Sequence, residues 1–325
     1  MVDTKKKTVQ IIGVPLDLGA QSLGVAVGPD KFREQQIIPK LTHAGIEVKD
    51  GGSIACTPRG QLDAGDPLIP YAAEIVRVNE LLAEQTKQAV TAGEVVLALG
   101  GDHSINLGAF AGAAAACGGD IGMIYIDAHG DINTPETSIS HNVHGMHLAA
   151  LMGFGSPVLV NAYGEGAKLQ TANLLHVGAS DLDTGEEALI ARENLTCFTM
   201  FDLLSHGLSP LLKLIDDLSQ RVSHIWVSVD LDSIDNVYAP GVGIPSRNGF
   251  TYREIAAITE YIGKKCPVVG LDIVEYNPYF DIDKKTAELG IELTAKLLGT
   301  NYSWYTNYMD RNSDNGQYAS INTGV

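Results

Sequence analysis

Residues 123–145 read MIYIDAHGDINTPETSISHNVHG and join a buried strand to a dense group of charged side chains. The first four residues are largely apolar, which predicts a strand in the interior of a sheet. Asp127, His129 and Asp131 follow at alternate positions. If the chain stays extended, these side chains point to the same face. Two carboxylates and an imidazole on one face repel and desolvate one another, so the stretch indicates a binding site.

Strand-like and helix-like segments alternate on both sides of this stretch. The predicted strands are TVQIIGVP, GEVVLALGG, IGMIYIDAHGD, NLLHVGAS, HIWVSVDLD and PVVGLDIVEYNP. The predicted helices are PDKFREQQIIPKLTHAG, residues 71–92, SINLGAFAGAAAAC, HGMHLAALMG, GEEALIARE, TYREIAAITEYIGKK and DKKTAELGIELTAKLLG. This alternation predicts an α/β fold with a mostly parallel sheet and helices on both faces.

The alternation continues to about residue 299 without a linker or an internal repeat, which predicts a single domain over residues 1–299. Residues 300–325 are aromatic at first and then rich in Asn, Ser, Gly and Asp. We expect this C-terminal tail to be loose or to lie at a subunit interface.

The composition excludes several classes of protein. The 325 residues carry 39 acidic and 22 basic side chains, a formal net charge of -17, which disfavours binding to nucleic acid and to anionic membranes. The four cysteines are far apart in the sequence, as expected for reduced thiols. The apolar run near the N-terminus is too short for a signal peptide or a membrane span. We therefore expect a cytoplasmic protein.

Further charged residues follow other predicted strands. His103 follows VVLALGGD, Asp230 and Asp232 end HIWVSVDLD, and Glu275 ends VVGLDIVE. Each alone has an ordinary explanation, because an acidic residue after a strand is commonly a helix N-cap and a lone D-x-D is a weak signal. Since parallel α/β sheets bind ligands at the carboxyl ends of their strands, the coincidence predicts one shared site.

The chemistry of this set indicates a pair of metal ions. Four carboxylates, contributed by Asp127, Asp131, Asp230 and Asp232, can balance two divalent cations, and His103 and His129 add neutral nitrogen ligands. An oxygen-rich set with two imidazoles and no thiolate suits Mn²⁺ better than structural zinc. Two such ions lower the pKa of a water molecule that bridges them.

Five segments of the chain resemble one known family. They are GGDHS at 100–104, DAHGDINT at 127–134, SHNVHGM at 140–146, SVDLDSID at 228–235 and DIVEYNP at 272–278. In order and spacing they resemble the ureohydrolases, which include arginases and agmatinases. The loop NTPETSISHNVHGM is most similar to that of bacterial arginases. The resemblance implies a three-layer αβα sandwich on an approximately eight-stranded sheet, assembled as a homotrimer or homohexamer.

The resemblance also implies residue roles. One Mn²⁺ would bind His103, Asp127, Asp131 and Asp230, and the other would bind His129, Asp127, Asp230 and Asp232. A hydroxide that bridges the metals would attack the guanidinium carbon of L-arginine and yield L-ornithine and urea. Glu275 would hold the guanidinium group, and His144 would carry protons to the leaving amine or to solvent.

The same resemblance assigns the α-amino acid end of the substrate. Asn133, Ser140 and Asn142 match positions that bind the α-carboxylate. Asp183 matches the position that contacts the α-ammonium, and Glu186 lies close to it. Asp183 and Glu186 also open a predicted helix, where acidic residues are favoured in any case.

Three residues depart from the family pattern, namely His141, Asn236 and Ile244. Ile244 removes a hydroxyl group near the expected pocket, and His141 places a side chain where a glycine is usual. These departures leave another guanidino compound, such as agmatine or a guanidino acid, open as the substrate. A single-zinc deacetylase of related fold is the alternative from a different enzyme class.

Overall fold

The apolar runs of the sequence form one sheet in the computed structural model, which describes residues 8–300 and Tyr302. The strands are β1 Thr8–Val14, β2 Glu47–Ser53, β3 Val95–Gly100, β4 Gly122–Ile126, β5 Leu174–Val177, β6 Thr196–Phe198, β7 Ile225–Asp230 and β8 Val268–Val274. They lie in the order β2-β1-β3-β8-β7-β4-β5-β6, and all neighbouring pairs are parallel. The predicted α/β class and the eight-stranded parallel sheet are confirmed.

Helices cover both faces of this sheet. They are α1 Gly28–Glu34, α2 Ile37–His43, α3 Ala72–Thr91, α4 Asn106–Ala116, α5 His147–Leu151, α6 Pro157–Val160, α7 Thr184–Glu193, α8 Met200–His206, α9 Leu208–Arg221, α10 Tyr252–Lys265 and α11 Lys285–Leu297. Alternate strand residues separate into two buried clusters. Ile124 and Val227 belong to the cluster with α9, α10 and α11, whereas Met123 and Trp226 belong to the cluster with α3 and α4. The molecule therefore has the three layers that the resemblance implied.

Two strands and the short helix α6 were missing from the sequence prediction. β2 reads EVKDGGS at one edge of the sheet, and β6 is only three residues long at the other edge. Edge strands pack against fewer neighbours, so neither needed the apolar run on which the prediction depended. Helices α8 and α9 were also not predicted.

The helix predicted over PDKFREQQIIPKLTHAG is divided into α1 and α2. Gln36 has a φ of 63° and so lies in the left-handed region between them. In one continuous helix, the ring of Pro39 would clash with the carbonyl group of Gln35. The break places Pro39 in the first turn of α2, where its missing N–H group costs no hydrogen bond.

Two features of the composition have structural counterparts. All four cysteines, Cys56, Cys117, Cys197 and Cys266, are free thiols. Within the described residues, no helix combines the length and the apolar character that crossing a bilayer requires. Of the predicted tail, Thr300 and Tyr302 are described, and Tyr302 packs against one of the core clusters. The other tail residues lie outside the part of the chain that the structure describes.

The contact between α3 and α4 holds helix α4 in place, and α4 directly follows the turn that contains His103. Gly108 in α4 lies so close to α3 that a Cβ atom there would overlap the carbonyl oxygen of Asn79. The backbone N–H of Gly108 also donates to Asn79 Oδ1 at 2.6 Å. Because α4 begins directly after the turn that contains His103, this contact anchors one edge of the site.

We predict that Gly108→Ala lowers the free energy of unfolding by about 1–3 kcal/mol, because the added methyl group overpacks the helix contact. Gly60 is the matched control, since a Cβ atom there meets no other atom within 4 Å. Gly60→Ala should change stability by less than about 0.5 kcal/mol. Urea unfolding curves of both variants test this, and equal effects would contradict the proposed contact.

Candidate metal centre and active site

The carboxyl ends of four adjacent strands supply the charged residues predicted from the sequence. These strands, β3, β8, β7 and β4, occupy the middle of the sheet. His103 follows β3, Glu275 follows β8, Asp230 ends β7 and Asp127 follows β4. All four are buried. The parallel topology therefore brings together residues that are up to 172 positions apart in the chain.

The chain does not stay extended beyond β4, contrary to the expectation from alternate positions. Strand β4 ends at Ile126, and Asp131 has a left-handed φ of 53°. A tight turn begins instead, in which His129 N donates to Asp127 Oδ1 at 2.7 Å. Asp230 Oδ1 accepts from Asp232 N at 2.8 Å in a similar turn. The predicted residues converge, but turns place them there rather than strand geometry.

The first group of polar atoms surrounds His103. Its Nδ1 atom lies 3.0 Å from Asp127 Oδ2, 3.1 Å from Asp230 Oδ2 and 3.3 Å from Asp131 Oδ2. Ligand atoms at right angles around a divalent cation, with bonds of about 2.1 Å, lie about 3 Å apart. The spacing of this group therefore fits one bound cation.

A second group lies beside the first and shares one residue with it. His129 Nδ1 is 3.5 Å from Asp127 Oδ1 and 3.3 Å from Asp232 Oδ2. Asp127 thus directs one oxygen towards each group. His103 with Asp127 and Asp230, and His129 with Asp127 and Asp232, each have ligand atoms close enough to hold a metal ion.

The electrostatics of the two groups favour bound cations. Among the described residues, Asp127 Oδ2 and Asp232 Oδ1 are buried without a hydrogen-bond donor. Burial, followed by the charges of Asp232 and Asp127, raises the pKa of Asp230 well above its usual range. Burial also raises the pKa of Asp232 to about 6. A divalent cation would satisfy the unpaired oxygens and restore the ionised carboxylates.

A chain of hydrogen bonds behind His103 fixes its tautomer. Ser228 Oγ donates a hydrogen bond to Asp272 Oδ1 at 2.6 Å, so its lone pairs are available to accept a hydrogen bond from His103 Nε2 at 2.8 Å. Asp272 Oδ2 also accepts from Trp226 Nε1 and Asn106 Nδ2. With the proton on Nε2, the lone pair of His103 Nδ1 faces the carboxylates, which is the arrangement that a metal ligand needs.

None of these supporting residues was identified from the sequence. A signal was available, since Ser228 precedes Asp230 by two positions, as Tyr125 precedes Asp127. Side chains two apart along a strand share a face. A polar group two positions before a candidate ligand at the end of a buried strand therefore indicates a residue that supports the site, here through His103 or Asp131.

Glu275 and His144 form a hydrogen-bonded pair next to His103. Glu275 Oε1 lies 3.2 Å from His144 Nδ1 and accepts from His103 N at 2.9 Å. A left-handed φ of 61° at Glu275 turns its side chain into the site. Burial alone would lower the pKa of His144, but the hydrogen bond and charge of Glu275 raise it to about 9. His144 can therefore hold a proton at neutral pH.

Asn133 and Asp183 connect the loop at residues 133–146 to helix α7. Asn133 Nδ2 donates to Asp183 Oδ2 at 2.7 Å, and Asn133 Oδ1 accepts from Thr137 at 2.7 Å. Asp183 Oδ1 accepts from the N–H groups of Gly185 and Glu186 and so caps α7. The helix-capping role considered from the sequence is present, and it leaves the Asp183 carboxylate at the edge of the site.

A cavity of about 220 Å³ opens onto the two polar groups. Its wall consists of His129, Asp131, Ser140, His144, Gly145, Asp181, Asp183, Glu186, Asp230, Asp232 and Ile244. Asn133 and Asn142 are not among the described residues of this wall. Asp181 was missed in the sequence, although it is an acidic residue two positions before Asp183. Burial and the charge of Asp131 raise the pKa of Glu186 to about 7.

The three departures from the family pattern lie at different depths. Ile244 is part of the cavity wall and is 45% exposed. His141 has a left-handed φ of 56°, and its Nδ1 atom is buried without a partner among the described residues. Asn236 is exposed, and its N–H donates to the Ser246 carbonyl at 3.0 Å. Only Ile244 therefore touches the cavity directly.

Comparison with known proteins agrees with this geometry. Residues 7–299 match the model of the arginase family. The arginase of Brevibacillus brevis is 38% identical over 295 residues, which cover 90% of this chain and 98% of that protein.

Solved structures give the same result. The native arginase of Bacillus caldovelox has a TM-score of 0.87 and 37% identity, over 90% of this chain and 98% of that one. The arginase of Entamoeba histolytica in complex with L-ornithine has a TM-score of 0.82 and 28% identity, over 90% and 99% of the two chains. This chain belongs to the arginase family and is a hydrolase that acts on the C–N bond of an amidine.

Proposed function

We propose that this protein hydrolyses L-arginine to L-ornithine and urea and uses two Mn²⁺ ions per subunit. The observation that carries the proposal is the sharing of Asp127 between two groups of ligand atoms, one around His103 and one around His129. Relatives named arginase, at 33–38% identity over most of the chain, support arginine as the substrate. The oxygen-rich ligand set supports Mn²⁺.

Six residues would hold the ions. His103, Asp127, Asp131 and Asp230 would bind the first, and His129, Asp127, Asp230 and Asp232 the second. When bound, two divalent ions make a water molecule acidic enough to act as a nucleophile near neutral pH. Asp127 and Asp230 have the central positions in this arrangement, because each would contact both ions.

The side chains around the ions would orient and protonate the substrate. The Glu275 carboxylate would pair with the guanidinium group and keep its carbon atom over the metal positions. Glu275 raises the pKa of His144 to about 9, so His144 would be able to deliver a proton to the departing δ-amine. Without that proton the leaving group would be an unstable amide anion.

The acidic wall would bind the other end of the substrate. Asp181, Asp183 and Glu186 surround the cavity on the side of α7 and would attract the α-ammonium group. Ser140 lies in the wall and would donate to the α-carboxylate. We propose that Asn133 and Asn142 act at longer range, through water or by holding the loop, because the Asn133 amide is engaged with Asp183.

Activity on two substrates tests the choice of arginine. Urea release by Mn²⁺-loaded protein should be at least about 100-fold more efficient, in kcat/KM, with L-arginine than with agmatine. Agmatine lacks the α-carboxylate, so the loop groups that the cavity presents would lose their partner. Equal efficiency, or a preference for agmatine, would contradict arginine as the substrate and make Ile244 the first residue to exchange for Thr.

Metal binding tests the ligand assignment. Chelator-treated wild-type protein should bind two Mn²⁺ ions, whereas Asp131→Asn should lose the first ion and Asp232→Asn the second. Activity should fall by more than about 100-fold in both, since even the partners of metal ligands contribute about 10–100-fold. Asp216→Asn is the control, because Asp216 accepts a hydrogen bond from the Tyr261 hydroxyl and belongs to neither ligand group. One ion in the wild type would instead favour the single-zinc deacetylase.

We further propose a cytoplasmic homotrimer or homohexamer. The free thiols support the location, and the resemblance to the ureohydrolases supports the assembly. Deletion of residues 303–325 should lower the number of subunits per particle, obtained from the mass measured by light scattering. It should leave urea release per site within about twofold. An unchanged mass would exclude a role of the tail in assembly.

A further inference from the structure

Two buried side chains outside the predicted ligand set contact the first group of ligands. Tyr125 lies in β4, two positions before Asp127, and is fully buried. Its hydroxyl group donates to Asp131 Oδ2 at 2.7 Å and lies 3.0 Å from His103 Nδ1. The rings of Tyr125 and His103 are stacked, with centroids 4.8 Å apart and planes inclined by 11°. Tyr125 therefore contacts two of the four ligands of this group.

His147 stands behind Tyr125 and is the first residue of α5. It is fully buried, and its Nδ1 atom lies 2.6 Å from the carbonyl oxygen of His144. Since a carbonyl oxygen only accepts, Nδ1 carries the proton and Nε2 is left as an acceptor. Nε2 lies 3.5 Å from the Tyr125 hydroxyl. The His147 ring also packs on His103 at a centroid distance of 4.6 Å.

These contacts are asymmetric. Within the described residues, the hydrogen bonds and ring contacts of Tyr125 and His147 reach His103 and Asp131 but not His129 or Asp232. Asp131 has a left-handed φ and lies outside any helix or strand. Its carboxylate therefore depends on neighbouring side chains to keep its position. Tyr125 and His147 thus support the first ligand group and make none of these contacts with His129 or Asp232.

We propose that Tyr125 and His147 are positioning residues that raise the affinity of the first metal position, bounded by His103, Asp127, Asp131 and Asp230, without a matching effect on the second. The inference rests on the metal pair of the proposed function. A cation on His103 Nδ1 takes up the lone pair there and leaves Asp131 Oδ2 as the acceptor for the Tyr125 hydroxyl. That hydrogen bond fixes the carboxylate, and His147 confines the hydroxyl from behind.

The simplest alternative is that Tyr125 and His147 only fill the core. The two interpretations differ in the role of a single oxygen atom. Tyr125→Phe keeps the ring, the stacking on His103 and nearly all of the packed volume, and it removes only the hydroxyl group. A packing role predicts no selective effect on metal binding, whereas a positioning role predicts a loss at one position.

The experiment is a titration of chelator-stripped, full-length protein with Mn²⁺, followed by calorimetry. In Tyr125→Phe the dissociation constant of one ion should rise by about 10-fold or more, and that of the other should stay within about twofold. The weakened ion should be the one that Asp131→Asn removes. Tyr261→Phe is the matched control, because the Tyr261 hydroxyl also donates to a carboxylate, that of Asp216, which belongs to neither ligand group. It should leave both constants unchanged.

His147→Asn tests the second residue. The asparagine amide can still donate to the His144 carbonyl but offers nothing in place of Nε2. We expect a rise of about two- to fivefold for the first ion alone. In the Tyr125→Phe background the same substitution should have a smaller effect, because the part that depends on the hydroxyl group is already lost and only the ring contact with His103 remains to be removed.

Three outcomes would overturn the inference. The first is a Tyr125→Phe protein that binds both ions as the wild type does. The second is equal weakening of both ions together with a lower Tm of the metal-free variant, which would indicate a structural role. In both cases the wild type binds two ions and the proposed function stands. A wild type that binds fewer than two ions would overturn the metal pair itself, and the inference with it.

Discussion

The mutual repulsion of four buried carboxylates is the constraint on which the rest of the site depends. Asp127, Asp131, Asp230 and Asp232 meet where the middle strands end, and burial raises the pKa of Asp230 and Asp232. Such a cluster is costly unless positive charge is brought to it. Two imidazoles and a wall of further acids surround it, so the site suits cations, which in the proposed function are two metal ions and the guanidinium and ammonium groups of the substrate.

The sheet supports this cluster with a second row of polar side chains beneath it. The strand register aligns His176 with Tyr125, Tyr125 with Ser228, and Ser228 with Asp272, across β5, β4, β7 and β8. All four residues are buried. The row lies one pleat below Asp127 and Asp230, where an ordinary parallel sheet would have aliphatic residues. Its hydrogen bonds fix the tautomer of His103 and the position of Asp131, so the ligands are held before a metal ion binds.

Three of the nine described non-glycine residues with a positive φ lie at the same edge of the sheet. Asp131, His141 and Glu275 all have φ values between 53° and 61°, which non-glycine residues adopt rarely. Each stands at a sharp change of chain direction, and each lies in or beside the site. Strain of this kind costs of order 1–3 kcal/mol per residue and persists only where the surrounding packing enforces it. The firm core on both faces of the sheet provides that packing.

The sequence by itself determined the α/β class, the six interior strands and the group of metal-ligand candidates, because apolar runs and charged strand ends are local signals. It did not reveal β2 and β6, since edge strands bury too little to need an apolar pattern. It showed that Asp127, His129 and Asp131 belong together, but it assigned this to strand alternation, whereas turns with positive φ bring them together. Tertiary structure alone decided that Asp127 faces both groups and that Asn133 is engaged with Asp183. It alone also places Tyr125 and His147 behind one group only, because these contacts depend on the strand order and register, which join distant parts of the chain.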